Sequence, residues 1–282
     1  MNWKTIVSER LAKGENISRR MAKELGISWS TLWSAVKRDG LPSAPVVVKN
    51  QPSFYIDKGT EDNSSILIIS DMHIPYHHKD TLDFLNDLRV KYRPTRVICM
   101  GDELDHHALS FHDSDPDLRS AGDELELAKK VVKDLEKLFP NMTLLDSNHG
   151  SLAFRRAKHH GIPKSYMKSY QEVLGVGSGW VWMNDLILTL PDGESVYFCH
   201  GKAQRGIQLS QNMGMSVVQG HHHSEFNINY WSNPLKKFFS MQVGCLVDDS
   251  SLAMAYNKLT LKRPILGTGL IVDSKPILEL LE

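Results

Sequence analysis

The chain has 282 residues, 41% of them apolar, and its 33 basic and 33 acidic side chains cancel to a formal net charge of zero. That length supports one sizeable core and a small appendage. A neutral total excludes partner choice by bulk electrostatics, and the absence of a long apolar run or a charged-then-apolar leader excludes a membrane class.

The charge is unevenly placed. Residues 1–40 hold eight Lys or Arg against four acids, a surplus of four, so the remainder carries the matching acidic excess. A basic head on an acidic body predicts two modules with different tasks. Within the head, Ile17, Met21 and Leu25 share one helical face with Ala22 beside it. Gly26 supplies a turn, and Ser28 caps a second helix that packs through Leu32, Ala35 and Val36. The run Ala22-x-x-Leu25-Gly26-Ile27-Ser28 resembles the core of helix-turn-helix units of the resolvase or regulator type.

That resemblance implies a second helix entering a DNA major groove. Ser28, Trp29, Ser30, Thr31 and Trp33 would then lie near bases or phosphates, and Arg19, Arg20, Lys37 and Arg38 would contact phosphates. Nucleic acid is the expected partner of this module. The competing reading is a helical packing or dimerisation unit with solvated charges, in which Trp29 and Trp33 belong to its core. Neither reading fixes the oligomeric state.

From residue 41 to 65 the pattern fades. Pro42, Pro45, Pro52 and Gly59 mark a linker, with Val46–Val48 and Phe54–Ile56 as candidate short strands inside it. The division is therefore a helix-turn-helix-like domain over 1–40, a linker over 41–65 and a body over 66–282. In the body, Ile66–Ile69 reads as a buried strand and Asp80–Tyr92 as an amphipathic helix. Arg96–Met100 is a second strand, Asp117–Phe139 a helix, and Met142–Asp146 a third strand. Beyond residue 180 the pattern turns to β, with runs at Trp180–Leu190, Ser195–Cys199, Ser216–Gln219, Phe238–Val243 and Leu270–Val272. A β-α-β-α-β start followed by a strand-rich half predicts an α/β fold of two packed sheets with flanking helices.

Cys99, Cys199 and Cys245 lie in or beside β-like runs without metal-type spacing, which reads as buried free thiols in a reducing compartment. A soluble cytoplasmic chain is expected, in the host cytoplasm if it is phage-encoded. All thirteen histidines fall between His73 and His223, a confinement that surface titration does not explain.

Five polar clusters account for much of it. They are Asp71-x-His73, Gly101-Asp102-x-x-Asp105, Asn148-His149, His200-Gly201 and Gly220-His221-x-His223, each just after an apolar run. In open α/β sheets ligands gather at the C-terminal ends of strands, so five strand ends converge on one point. Asp-x-His and His-x-His place both members of a pair on one side of extended backbone. This order resembles the calcineurin-like metallophosphoesterase superfamily over roughly residues 66–245. The continuation Ser110-Phe111-His112-Asp113-Ser114-Asp115-Pro116 is similar to phage and bacterial members.

The resemblance implies an αββα two-sheet sandwich and two divalent metal ions. Asp71, His73 and His223 would hold the first ion. Asp102 would bridge both, and Asn148, His200 and His221 would hold the second. Two carboxylates offset cation charge, while imidazoles and an amide oxygen leave enough of it to lower the pKa of a water. Such a mixed N/O set suits manganese best, with iron, zinc or nickel as alternatives. Centres of this kind hold their ions about 3.5–4 Å apart. His149 would protonate the leaving alkoxide or steady the phosphoryl oxygens, making His149 and Asp102 the catalytic pair.

Two positions depart from the family's pattern. Ser147 stands where Gly usually precedes the Asn-His pair, and Gly150 stands where an acid usually follows. Asp105, Asp113 and Asp146 are candidate replacements for that acid. Arg155, Arg156 and His106 are candidate substrate contacts, the arginines through paired guanidinium donors. His77, His78, His107, Lys202 and Arg205 are weaker candidates at the mouth, and His222 is expected to point away from its neighbours by alternation.

The leading reading is a metal-dependent phosphoesterase using a dimetal-activated hydroxide, with the head tilting the substrate towards nucleic acid or nucleotides. A nuclease or nucleotide phosphodiesterase is therefore expected. One alternative is a phosphomonoesterase acting on protein or nucleotide ends with a localising head. Another is a DNA-binding regulator whose metal domain is inactive, motivated by Ser147 and Gly150.

Overall fold

Continuous apolar runs become central strands when both of their faces are covered. In the computed structural model, which describes residues 3–12, 17–38, 54–57, 62–111, 117–203, 205–251 and 261–282, this holds for β2 (Ser65–Ile69), β3 (Arg96–Cys99) and β4 (Met142–Leu145). The three pair in parallel, β2 with β3 and β3 with β4. They form the centre of a six-stranded sheet whose other members are β5 (Trp180–Met183), β11 (Gly267–Val272) and β12 (Lys275–Leu280), in the order β12-β11-β2-β3-β4-β5.

The second sheet has the order β1-β6-β7-β8-β10-β9. Its strands are β1 (Phe54–Ile56), β6 (Asp185–Thr189), β7 (Ser195–Cys199), β8 (Ser216–Gln219), β9 (Phe226–Ser232) and β10 (Lys237–Val243). Side-chain alternation sorts the core into layers. Ile66, Ile68, Ile98 and Met100 from the first sheet meet Leu186, Leu188, Phe198, Val218, Met241 and Val243 from the second. The intervening Leu67, Ile69, Val97 and Cys99 point the other way. They pack on α4 (Thr81–Tyr92) through Leu85 and Leu88, and on α5 (Ala121–Leu138) through Ala128, Val132 and Leu135. On the far side Ile187, Tyr197 and Val217 pack with Leu209 of α8 (Gly206–Met213). The body is thus an αββα sandwich.

Two expectations change in detail. The single run Trp180–Leu190 is two strands in different sheets, with Asn184 between them. Trp180 faces the helix-side core and donates its indole N–H to Phe139 O at 2.9 Å, whereas Leu186 and Leu188 enter the inter-sheet core. Phe54–Ile56 is more than linker, because it forms an edge strand parallel to β6. Val46–Val48 lie outside the described residues. The chain divides into compact units at Pro52/Ser53. Among the described residues no helix is long and apolar enough to cross a membrane, and Cys99, Cys199 and Cys245 are buried and free.

The first unit contains α1 (Trp3–Ala12), α2 (Arg19–Glu24) and α3 (Trp29–Arg38), connected across a turn at Gly26 with φ of +65°. Val7, Met21, Ala22 and Leu32 form its core, with Ile17, Leu25, Ile27 and Trp29 packed against it. The sequence patterning does not anticipate α1. Ser28 Oγ accepts the Thr31 backbone N–H at 3.0 Å, an N-terminal cap that satisfies one of the helix's orphan donors. Trp29 therefore belongs to the core, while Ser28, Ser30, Thr31 and Trp33 are exposed. Arg19 is exposed, and Arg20 shares Glu24 with Arg10 at 2.9 and 2.8 Å. The side chains of Lys37 and Arg38 lie outside the described residues.

Candidate metal centre and active site

Each of the five clusters begins within three residues of the end of a strand: β2, β3, β4, β7 or β8. Because β2, β3 and β4 run parallel, as do β7 and β8, their ends open on common edges. The backbone there is unusual. Asp71, His73 and Asp102 have φ of 50° and His221 has 68°, a region that non-glycine residues occupy only when their surroundings hold them. Those surroundings are visible. Asp71 N donates to Gly101 O at 3.1 Å and His73 N to Asp102 O at 2.9 Å, so the first two loops clasp each other. His221 N donates to Asp71 Oδ2 at 2.8 Å, fastening one sheet's loop to the other's. A Cβ on the adjoining Gly220 would stand 2.6 Å from that same Oδ2, so this approach requires glycine.

Among the described residues three groups of donors result, one of them His73, Asp105 and His149. The other two hold expected ligands. Asp71, His73 and His223 offer ligand atoms within 4.8 Å of one another, and so do Asp102, His200 and His221. In the first, His223 Nε2 lies 3.2 Å from both Asp71 Oδ1 and His73 Nε2. In the second, His200 Nε2 lies 3.1 Å from Asp102 Oδ2, 3.2 Å from His221 Nδ1 and 2.7 Å from Asn148 Oδ1. Asp102 Oδ2 is also 3.8 Å from His73 Nε2, which places this carboxylate between the groups.

The chemistry of these donors fits divalent cations. His73 Nδ1 donates to Asp105 Oδ1 at 2.6 Å and His200 Nδ1 to Met100 O at 3.0 Å. Each ring thereby turns its Nε2 lone pair inward, the arrangement seen in metal-bound histidines. Two buried carboxylates also need positive charge. Burial alone would raise the Asp71 pKa, yet His200 and His223 hold it at about 2. Burial opposes charge on His200, but Asp102 and Asp71 push it up to about 9. The carboxylate pair therefore draws in protons where no stronger cation competes.

His149 lies at the same place, grouped with His73 and Asp105 and outside the two groups of expected ligands. Its backbone N–H donates to Asp102 Oδ1 at 3.0 Å, and its Nδ1 bonds Asp105 O. A carbonyl only accepts, so Nδ1 carries a proton and Nε2 is left to exchange one with substrate. The Asp105 carboxylate sits 3.7 Å from this Nδ1 while bonding His73. Of the two candidate replacement acids among the described residues, Asp105 is the one beside His149. Asp146 Oδ1 instead accepts the Ser147 N–H at 3.0 Å, and Asp113 lies outside the described residues. We expect Asp105→Asn to weaken manganese affinity about 10- to 100-fold, measured by titration calorimetry, because it loosens His73. Unchanged affinity would show that His73 needs no such support.

Of the two departures from the expected pattern, Ser147 accounts for Gly150. Ser147 Oγ accepts the backbone N–H groups of Asp102 at 2.9 Å and Gly150 at 3.0 Å, tying the second and third loops together. A Cβ at position 150 would stand 2.9 Å from that hydroxyl, so the serine at one position favours glycine at the other.

Several expected substrate contacts have other partners. Arg156 donates to Leu109 O and Ser110 O and stacks 4.3 Å from the Phe111 ring centroid. Arg155 lies 5.0 Å from the same centroid and reaches Asn148 O at 3.3 Å. These arginines brace the loop after the bridging cluster, and neither lines the cavity at the site. His106 is buried against Tyr170, with Nε2 to Oη at 2.7 Å, and burial lowers its pKa to about 4, helped by His149. It too is absent from the cavity wall. His107 N donates to Glu124 at 3.1 Å, Lys202 pairs with Asp185 at 3.4 Å, and His159, His160 and Arg205 are exposed. His222 bonds Ala203 O at 3.1 Å, directed away from the donors as alternation predicts.

Glu124 is a buried carboxyl that sequence reading passed over. It receives the His107 and Ala108 N–H groups, and burial, then Asp105, raises its pKa to about 7. A folded-state pKa above the ordinary 4.5 means that folding favours the protonated form, so this residue's contribution to stability declines as pH rises from about 4.5 to 7. Glu124→Gln stays neutral, and its urea midpoint relative to the parent is expected to rise between pH 5 and pH 8. A difference that does not vary with pH would contradict this.

The donors open on a cavity of about 320 Å³ lined by His73, Asp102, Asn148, His149, His221, His223, Ser224, Lys262, Arg263 and Pro264. The last four were not anticipated. Lys262, Arg263 and Pro264 follow no strand-end cluster, and their only sequence signal is a basic pair ahead of proline.

The calcineurin-like phosphoesterase family model matches residues 64–258. No match was found among curated proteins. Among solved structures, the chain is similar to vacuolar protein sorting 29 from Cryptosporidium parvum, with 14% identity, 78% of this chain and 97% of that chain covered, and a TM-score of 0.41. It is similar to YfcE, a phosphoesterase from E. coli, with 13% identity, 77% and 100% covered, and a TM-score of 0.39. For nuclease MPE of Pseudomonas putida the identity is 14%, the coverage 76% and 87%, and the TM-score 0.31.

Proposed function

The chain belongs to the calcineurin-like phosphoesterase family, and on that premise we propose that it is a two-metal phosphodiesterase acting on nucleic acid or nucleotides. The observation that carries the reading is the convergence of Asp71, His73, Asp102, Asn148, His200, His221 and His223 from five strand ends. Asp71, His73 and His223 would hold one divalent cation, Asn148, His200 and His221 the other, and Asp102 would be shared. Cations bound there supply charge neutralisation at the phosphoryl oxygens and activate a water as nucleophile. Manganese suits the mixed nitrogen and oxygen donors.

The remaining work falls to side chains of the chain itself. In its imidazolium form, with protons on both ring nitrogens, His149 would hand the Nε2 proton to the departing ester oxygen and become neutral. Its Nδ1–H bond to Asp105 O holds the ring in register. The clasped loops preset the donor positions, so little reorganisation is needed when substrate arrives. Support for a polymeric substrate comes from the first unit, in which Ser30, Thr31 and Trp33 of α3, its cap Ser28, and Arg19 of α2 are exposed. Hydroxyls, an aromatic ring and a guanidinium suit phosphate and base contacts.

An activity panel with purified protein and manganese tests this reading. Single- and double-stranded DNA, RNA, cyclic nucleotides and an aryl phosphate monoester would be compared. Diester cleavage is expected to dominate. Dominant monoester turnover would overturn the diesterase reading, and no hydrolysis by protein with bound metal would overturn the enzymatic one.

A further inference from the structure

We propose that Lys262 and Arg263 form a subsite for a second phosphate group of the substrate, adjacent to the phosphoryl group that reacts at the donor cluster. This rests on the phosphoesterase reading and narrows it to substrates carrying neighbouring phosphates, such as a nucleotide chain.

The location is the first ground. Both cations line the same cavity of about 320 Å³ as His73, Asp102, Asn148, His149, His221 and His223. A volume at the low end of the roughly 300–1,000 Å³ usual for ligand sites has room for more than a lone phosphoryl group. The anchoring is the second. Ile265 N donates to His223 O at 2.8 Å, and Cys245 N to Ile265 O at 3.2 Å. The backbone two residues beyond Arg263 is thus bonded to one of the proposed ligands, which keeps the basic pair at the cleft although both side chains are exposed.

The third ground is charge. Lys262 Nζ lies 3.9 Å from Glu225 and Arg263 Nη1 lies 4.0 Å from Asp249, with all four side chains substantially exposed. Ion pairs this long and this solvated are weak. A phosphate between the two cations would gain shorter, charge-assisted bonds than these, two of them from the fork of the guanidinium. The donor cluster itself carries Asp71 and Asp102, and a substrate bearing several negative charges gains from cations lining the same cavity.

The test compares thymidine dinucleotide with and without a 5′-phosphate, which differ only in the group assigned to this subsite. Equilibrium binding in EDTA, where hydrolysis does not interfere, is expected to favour the phosphorylated form by about 10-fold for the full-length protein. The Lys262→Ala/Arg263→Ala variant should bring that ratio to within about 2-fold of unity, and Lys262→Arg/Arg263→Lys should largely retain it. The same ratios should appear in kcat/KM with manganese. A parent protein without the preference, or an alanine variant that keeps it, overturns the subsite. Failure to hydrolyse either dinucleotide overturns the phosphodiesterase reading instead, and the binding ratio still decides the subsite.

Discussion

Replacing Asp102 with Asn is expected to reduce manganese-stimulated hydrolysis of an aryl phosphodiester by about 10³-fold or more. The substitution keeps the shape of the side chain and removes its charge. Asp102 is almost fully buried, with Oδ1 receiving the His149 N–H at 3.0 Å and Oδ2 facing His200 Nε2 at 3.1 Å and His73 Nε2 at 3.8 Å. With Asp71 it supplies the negative charge of the donor set, and loss of Asp102 leaves one carboxylate, with imidazoles and amides, to balance two dications. Steady-state rates with parallel thermal unfolding check the prediction. A folded variant with retained turnover would remove Asp102 as the shared ligand.

The second large effect concerns His149. His149→Ala should slow hydrolysis of an alkyl phosphodiester by about 10²–10⁴-fold, the range for loss of a general acid. A nitrophenolate leaves without needing a proton, so the loss on a nitrophenyl ester should be much smaller. The structural basis is the Nδ1 bond to Asp105 O, which commits one ring nitrogen and leaves Nε2 for the leaving oxygen. Because His149 is not among the seven proposed ligands, the variant should still bind manganese. Equal losses on both esters would contradict proton donation and point to a role in holding the phosphoryl oxygens.

The sequence carries much of this site because its chemistry is written as short clusters after apolar runs. Asp71, Asp102, Asn148, His200 and His221 each follow a strand, and parallel pairing brings such ends together. The αββα layering was legible for a related reason: Leu67 and Ile68 point to opposite faces of one strand, and both faces are apolar only when both are covered. What stayed hidden depends on side-chain partners across the fold. Asp105 stands three residues from Asp102, but spacing does not disclose that it braces His73 at 2.6 Å and stands beside His149.

Arg155 and Arg156 show what adjacency alone leaves open. An adjacent basic pair suggests a phosphate clamp, yet Arg156 bonds the carbonyls of 109 and 110, Arg155 reaches Asn148 O, and both lie against the Phe111 ring outside the cavity wall. The basic pair that does line the cavity, Lys262 and Arg263, precedes Pro264 in a stretch with no periodic signal. The break at Asn184 was equally invisible, since Trp180–Met183 and Asp185–Thr189 are both strand-forming and differ only in the sheet they join. In the first unit, Trp29 and Trp33 have the same spacing relation to the helix, and only packing sends one to the core and the other to solvent.

The reading of this chain as an enzyme depends on seven side chains meeting around a pair of cations. Anomalous scattering from crystals of the manganese-loaded protein measures that directly. Two peaks about 3.5–4 Å apart, enclosed by Asp71, His73, Asp102, Asn148, His200, His221 and His223, are predicted. A single peak, or ions bound away from these residues, would contradict it.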